Sequence, residues 1–217
     1  MSYWKQCLEF YTQFRHQYFT TGSIWPSSRG LARALTRPMR RAAPPRRILE
    51  VGPGTGAVTQ EIVRWLRPGD ELDIVEINGA FVEIIERRFR EEAEFRTKRR
   101  QSRVLHSPLQ EVPGRGVYDF MISGLPLNNF PVPLVDEIFQ SYERLLKPLG
   151  TLSYFEYLWM RATKMAFIRG AEKERLTRID AYLKDKIARY QVAEEVVVLN
   201  VPSAVARHFC FGRKTVG

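Results

Sequence analysis

The sequence predicts an α/β protein built on a doubly wound, mostly parallel, seven-stranded sheet. Three observations carry this. Short runs of Val, Ile and Leu alternate with longer stretches whose apolar residues recur every three or four positions, the pattern of parallel strands joined by crossover helices. The first unit, Ile48-Leu-Glu-Val-Gly-Pro-Gly-Thr-Gly56 followed by Ala57 to Leu66, reads as a strand, a tight glycine turn and the start of a helix. The last two apolar runs, Glu195 to Val201 and Val205 to Phe211, flank Pro202-Ser203 and close the sheet as an antiparallel pair.

In chain order, Tyr3, Trp4, Cys7, Leu8, Phe10, Tyr11, Phe14, Tyr18 and Phe19 fall on one face of an amphipathic helix over residues 3–19. Such a helix packs on the domain or lies in a bilayer surface, where Trp and Tyr favour the headgroup level; both hold if it docks and shows its rim to lipid. A connector follows, then a helix from Arg29 to Met39 capped by Ser27 or Ser28, and a proline-containing linker from Arg40 to Arg47. Residues 1–45 thus form a basic helical extension ahead of a domain at 46–217. Within that domain the spacing predicts helices over Ala57 to Leu66 and Gly79 to Glu94, and a solvated charged face or loop over Arg96 to Arg103. Strands follow at Leu72 to Glu76, Val104 to His106 and Val117 to Ser123. Next come a helix from Val132 to Leu146 stopped by Lys-Pro-Leu-Gly150, a strand from Thr151 to Tyr157, and a helical stretch from Arg161 to Tyr190 broken near Gly170.

With 217 residues the chain is long enough to bury one full core. Cys7 and Cys210 are its two cysteines, which excludes a disulfide framework and a cysteine-based metal site. No apolar run reaches the roughly 18 residues of a membrane span and no leader pattern opens the chain, so a cytosolic protein is expected. The net charge is +10, and nine basic residues up to Arg47 face a single acid, Glu9. That asymmetry calls for a polyanionic partner, nucleic acid or an anionic membrane surface, and charge alone does not choose between them.

Ligands of such sheets bind at the carboxyl ends of the strands. There the glycine turn lets backbone N–H groups approach a ligand, Glu50 stands where a carboxylate receives a cationic amino group, and Glu76 stands where an acid grips ribose hydroxyls. Gly-x-Gly-x-Gly, without the later glycine of the dinucleotide fingerprint, fits S-adenosylmethionine better than NAD; the bland alternative is a structural turn with two incidental acids. The remaining candidates are His106 to Leu109, Ser123 to Asn129 and Tyr154 to Tyr157. By strand alternation Tyr154 and Glu156 share one face and Phe155 and Tyr157 the other, and one of those faces must be core.

Ser23-Ile-Trp-Pro-Ser-Ser-Arg-Gly-Leu-Ala32, the turn from Glu50 to Gly56, Ser123-Gly-Leu-Pro126 and Asn200-Val-Pro-Ser203 together resemble the bacterial phospholipid N-methyltransferases, relatives of the rRNA adenine dimethylases. The resemblance spans nearly the whole chain. It implies a class I, Rossmann-like methyltransferase fold, S-adenosylmethionine as donor with S-adenosylhomocysteine as product, and an N-terminal helix that holds the protein on the cytoplasmic face of an anionic membrane. The acceptor it implies is the amine of a lipid headgroup, phosphatidylethanolamine or ornithine lipid. By position, Glu50, Gly52, Gly54 and Gly56 would line the methionine and ribose part of the cofactor, Glu76 its ribose, Ile77 and Asn78 the adenine, with His106, Ser107 and Ser123 completing the set. Pro108 stands where such enzymes often carry an acid, which leaves the adenine edge to backbone groups or to His106, whose other reading is a capped strand end. On the acceptor side the candidates are Asn129, Glu156 and Tyr157. A carboxylate there would take the proton of an amine, and aromatic rings would box a methylated ammonium. Methylation of a nucleobase amine typically uses Asn/Asp-Pro-Pro-Tyr, where a polar group binds the amine and a ring stacks the base; Gly124-Leu-Pro-Leu127 has neither, which argues against RNA. The rival readings are an rRNA adenine N6-methyltransferase and a non-catalytic, S-adenosylmethionine-binding membrane module. No metal-ligand cluster is expected.

Overall fold

The computed structural model describes residues 29–158, 170–198, 200 and 202–212. The aromatic stretch 3–19 and residues 161–169 of the later helical run lie outside the described residues. Seven segments pair into one sheet: β1 (Arg47–Val51), β2 (Glu71–Glu76), β3 (Ser102–His106), β4 (Tyr118–Ser123), β5 (Leu146–Tyr157), β6 (Gln191–Val197) and β7 (Ala204–Phe209). The described helices are α1 (Arg29–Arg41), α2 (Ala57–Trp65), α3 (Gly79–Glu91), α4 (Ala93–Lys98), α5 (Val132–Leu145) and α6 (Ala171–Tyr190).

The sheet order is β3-β2-β1-β4-β5-β7-β6. The first five are parallel, and β7 inserts antiparallel between β5 and β6. The chain therefore winds outward from β1 in one direction and from β4 in the other, leaving a crevice at their carboxyl ends. Alternation along the central strands feeds two cores. Leu49, Val51, Met121, Tyr154 and Phe209 point to one face and pack with Phe139 and Tyr142 of α5. Ile48, Ile74, Ile122 and Ala206 point to the other and pack with Leu31 and Leu35 of α1 and Ile62 of α2. Strands covered on both sides read as continuous apolar runs, and this is why β1 and β4 are legible in the sequence.

A buried ion pair fastens α1 to the amino end of the sheet. Arg46 is 2 % exposed, and its guanidinium donates to both carboxylate oxygens of Asp70 and to the carbonyl oxygens of Met39 and Trp65. Burial pushes the Asp70 carboxyl up, but the hydrogen bonds from Arg46 and from the Arg67 N–H outweigh it, holding the group below the usual carboxylate range. The four links connect the end of α1, the end of α2 and the turn into β2.

Three expectations are corrected by this architecture, and a fourth is narrowed. Lys147-Pro-Leu-Gly150 does not lie between a helix and a strand, because β5 already begins at Leu146 opposite Tyr118; the irregular register between Tyr118 and Phe120 absorbs the proline and glycine. The run Arg96 to Arg103 is a solvated face and not a loop: Arg96, Arg99, Arg100 and Arg103 are exposed, while Phe95 anchors α4 in the core and Arg103 of β3 makes a bidentate pair with Asp73 at 2.7 and 2.8 Å. The closing strands sit at Gln191–Val197 and Ala204–Phe209, earlier than the apolar run alone indicates, because β6 leaves α6 without a loop. Helix α3 stops at Glu91, and Glu92 caps its end with its N–H on the Arg88 carbonyl.

Asp70→Ala leaves the Arg46 guanidinium buried without its counter-charge and is expected to cost roughly 3–5 kcal/mol of stability, measured by urea denaturation. The ion pair also predicts loss of this contribution as pH falls below about 4, through the depressed Asp70 titration, because the unfolded chain takes the proton first.

Candidate active site

At the carboxyl end of β1 the backbone turns through Gly52, Gly54 and Gly56, all with positive φ (66°, 57° and 86°). At Gly56 a Cβ would also lie 2.6 Å from the Arg88 guanidinium, which holds this turn by donating to the carbonyl oxygens of Thr55 and Gly56 at 3.2 and 2.7 Å. Arg88 is anchored in turn by a bidentate pair with Glu92 at 2.7 and 2.9 Å and lies over the Phe95 ring. The turn meets the next strand end just as tightly: the Gly124 N–H donates to the Val51 carbonyl at 2.8 Å, and a Cβ on Gly124 would stand 2.5 Å from the Gly52 carbonyl oxygen.

Glu50 sits beneath this junction. It is 1 % exposed, and neither carboxylate oxygen has a hydrogen-bond partner among the described residues. Burial raises its pKa to about 8, with Thr59 and the Arg88 charge opposing the rise and the neighbouring Glu76 adding to it. The Thr59 hydroxyl has no hydrogen-bond partner among the described residues. Glu76, at the end of β2, accepts from the Asn78 N–H at 2.9 Å and from the Gly54 N–H at 3.4 Å. The Asn78 side chain itself caps α3 by accepting from the Ala80 N–H.

Gly52, Glu76, Ile77 and Ser107 line one cleft with Pro108, Leu109 and Gln110, and α5 with the segment before it closes the cleft with Leu125, Phe130, Leu134 and Ile138. The structure thus brings the glycine turn, Glu76, Ile77 and Ser107 together, with Glu50 just below. His106 is placed differently: it is exposed, with Nε2 3.2 Å from the Ile77 carbonyl oxygen, and is not among the residues lining the cleft. Ser123 is fully buried; its hydroxyl lies 2.7 Å from the Tyr142 hydroxyl and accepts from the Leu125 N–H at 3.2 Å, so it shapes the turn from behind.

The three acceptor-side candidates are not gathered at one point. Asn129 ends a single 3-10 turn, Leu127–Asn129. Glu156 is buried against the α5 core, where it accepts from the Tyr154 hydroxyl at 3.1 Å and lies 3.7 Å from Arg207. Tyr157 is on the opposite face of β5, edge-on to Phe155 at 5.2 Å and packed on the α1 core. Three contributors were missed by sequence reasoning. Arg88 and Thr59 carry no signal, because each looks like an ordinary helix residue. Gln110 was hidden behind the expected acid position at Pro108, yet it lines the cleft with Glu76 and Ser107. Asn128 falls inside the candidate stretch Ser123 to Asn129, and its Oδ1 is buried with no partner among the described residues.

Residues 48–150 match the family model described as a methyltransferase domain. The chain is 33% identical over 135 residues to an ornithine lipid N-methyltransferase from Singulisphaera acidiphila, covering 60% of this chain and 67% of that relative. Among solved structures it is similar to the 1,6-didemethyltoxoflavin N1-methyltransferase of Burkholderia thailandensis, seen with S-adenosylhomocysteine (TM-score 0.62, 14% identity, covering 99% of this chain and 91% of that one). It is also similar to the O-methyltransferase of tomaymycin synthesis from Streptomyces achromogenes, in complex with S-adenosylmethionine (TM-score 0.57, 18% identity, covering 84% and 79%). At these identities the two structures show a shared fold.

The residues present fit S-adenosylmethionine. An unpartnered buried carboxylate suits the ammonium of its amino-acid end, Glu76 suits the ribose, and the walls from Ile77 to Ile138 suit a flat apolar base. Gly124→Ala drives a methyl group into the Gly52 carbonyl, which is backbone and cannot swing aside. The expected outcome is S-adenosylhomocysteine binding weakened about tenfold or more by isothermal titration, with the far-ultraviolet circular dichroism unchanged.

Proposed function

Since the chain belongs to the class I S-adenosylmethionine-dependent methyltransferases, we propose that it methylates the headgroup amine of a membrane lipid, phosphatidylethanolamine or ornithine lipid. The observation that carries this reading is the turn after β4. Leu127, at the position where nucleobase methylases place their stacking ring, is turned into the core at 2 % exposure, and the adjacent Asn128 presents a buried, unpartnered carbonyl oxygen. A flipped base finds no platform in such a turn, whereas a side-chain oxygen without a donor suits an amine N–H. The relative from Singulisphaera acidiphila, named for an ornithine lipid, supports the same acceptor class.

When bound, S-adenosylmethionine supplies a methyl group on a sulfonium, open to in-line attack. The chain's own task is to bind, align and strip the amine of water and of its proton. Glu50 would neutralise the ammonium of the donor and Glu76 would fix its ribose, which together set the direction from which an amine must approach. Asn128, with Asn129 beside it, would hold the amine by an N–H and leave its lone pair free. Glu156, buried beside Arg207 and the Tyr154 hydroxyl, would act from behind the cleft by positioning β5, while Tyr157 braces the strand from the other face.

Among the described residues no helix is long and apolar enough to cross a membrane. Binding at the surface would fall to the aromatic stretch 3–19 and to the exposed arginines of α1, Arg29, Arg33 and Arg41, through apolar insertion and attraction to anionic lipid. The test is transfer of labelled methyl from S-adenosylmethionine to anionic liposomes holding phosphatidylethanolamine or ornithine lipid, beside bulk RNA. Label is expected in one lipid, with Asn128→Leu lowering the rate about a hundredfold at unchanged S-adenosylhomocysteine affinity. Label in RNA alone would reverse the reading of the turn, and label in neither would leave a cofactor-binding module.

A further inference from the structure

The antiparallel edge of the sheet turns at the same end of the molecule as the cleft. Strand β5 runs parallel to β4 and so brings Tyr157 to the end that carries the glycine turn; Ala204 of β7 pairs with Tyr157, and Val197 of β6 pairs with Ala204. The β6–β7 hairpin tip therefore stands at the cleft end, with β6 four strands from β1, roughly 19 Å at ordinary strand spacing. Leu158 joins it there. Its N–H donates to the Ser203 carbonyl at 3.0 Å, and the Ser203 hydroxyl donates to the Val198 carbonyl at 3.1 Å.

Hairpin tips stand in water and are ordinarily polar. This one is not. From Val196 to Ala206 the chain carries no charged residue. Burial accounts for Ala204, Val205 and Ala206 of β7, and for Val197, which packs against the α1 core. It does not account for Val196 and Val198, 53 % and 70 % exposed, or for Leu158 at 40 %. The amide of the turn is spent inward: Asn200 is buried and donates its side-chain N–H to the Pro202 carbonyl at 2.7 Å. An apolar tip on an edge strand is a liability in water, and a fold that keeps one has something to set it against.

Charge selects the occupant. The described chain leaves this tip at Leu158 and returns at Gly170, and the sequence between them holds Arg161, Lys164 and Arg169 with no acid. Two copies of the tip brought together would bring those like charges together, whereas an anionic lipid surface attracts them and takes up the apolar side chains. The residue before Val196 on the same face of β6 is Glu194, and it is paired with Arg207 at 2.6 Å. We infer that the β6–β7 hairpin tip, Val196 and Val198 with Leu158 beside them, inserts into an anionic bilayer and turns the mouth of the cleft toward it. The purpose of that contact rests on the proposed lipid acceptor, whose headgroup must enter at the same end of the sheet. A single contact at the amino-terminal segment leaves the domain free to swivel, and a second at the far edge of the sheet fixes the direction in which the strand ends point.

The experiment places a nitrobenzoxadiazole label at Val198→Cys in the full chain, with Cys7→Ser added and Cys210 already buried. Vesicles of phosphatidylglycerol in phosphatidylcholine are used, because neither headgroup has an amine left to methylate and the readout is then independent of methyl transfer. Adding vesicles is expected to raise the emission and shift it to the blue, with quenching by lipids brominated on their acyl chains. The same label at Val192→Cys, exposed at the other end of β6 and about 20 Å away at 3.3 Å per residue, is expected not to respond. The unlabelled double variant Val196→Ser, Val198→Asp is expected to sediment with vesicles about tenfold less, at unchanged S-adenosylhomocysteine affinity. No response at position 198, an equal response at 192, or unchanged sedimentation of the double variant would overturn the inference. So would a blue shift that grows with protein concentration in the absence of vesicles, which would mean that a second copy covers the tip. If lipid amines accept labelled methyl while position 198 stays in water, the lipid-acceptor reading stands and the insertion alone falls; insertion with no lipid methylated supports the contact and removes that reading.

Discussion

A carboxylate taken out of water and given no partner is among the costlier things a fold can contain, and Glu50 is such a group. The chain tolerates it by letting the carboxyl keep its proton, which is what a pKa near 8 means. The folded group holds that proton up to about pH 8 while the unfolded one releases it near 4.5, so the cofactor-free fold loses stability as pH rises across that window. Much of the site follows from accommodating this residue. Glycines carry the backbone over it without adding a side chain, Arg88 ties down the turn from α3, and Glu76 is satisfied by backbone N–H groups. On the proposed reading, binding a cation there would exchange an internal proton for an ion pair.

The rest of the fold supplies rigidity on either side of that point. The parallel half of the sheet, covered on both faces, fixes the strand ends that carry Glu50, Glu76 and Ser107. The Arg46–Asp70 pair fixes the opposite end, where α1, α2 and the turn into β2 converge. The antiparallel half does something different. Its strands are held by a chain of polar contacts through Tyr154, Glu156, Arg207 and Glu194, and its outer face leaves Val196 and Val198 exposed. The two halves of the sheet are thus built on different principles.

The half of the candidate site proposed for the donor was legible in the sequence because it depends on short-range rules. A strand ending in an acid and running into alternating glycines has few structural solutions, and a second strand ending in Glu76 repeats the logic next door. Strand alternation also separated Glu156 from Tyr157 correctly. What could not be read depends on contacts far apart in the chain. Lys147 to Gly150 carries every local sign of a break, yet the pairing of Leu146 with Tyr118 makes it strand. The basic run leading into β3 reads as solvated and its arginines are exposed, but the pairing of Arg103 with Asp73, thirty residues away, leaves no mark in the sequence. His106 has the right position in sequence for a base-binding residue, but the Ile77 carbonyl and the open space over Gly79 draw its ring aside.

The central claim, that the site is organised around a buried carboxyl waiting for a cation, is tested by titrating the side-chain carboxyl carbon of Glu50 by ¹³C magnetic resonance, assigned by its loss in Glu50→Gln. In the cofactor-free protein the account predicts a midpoint near pH 8, falling to the ordinary carboxylate range or below when S-adenosylhomocysteine saturates the site. A midpoint near 4.5 in the free protein, or one that does not move on saturation, would contradict it.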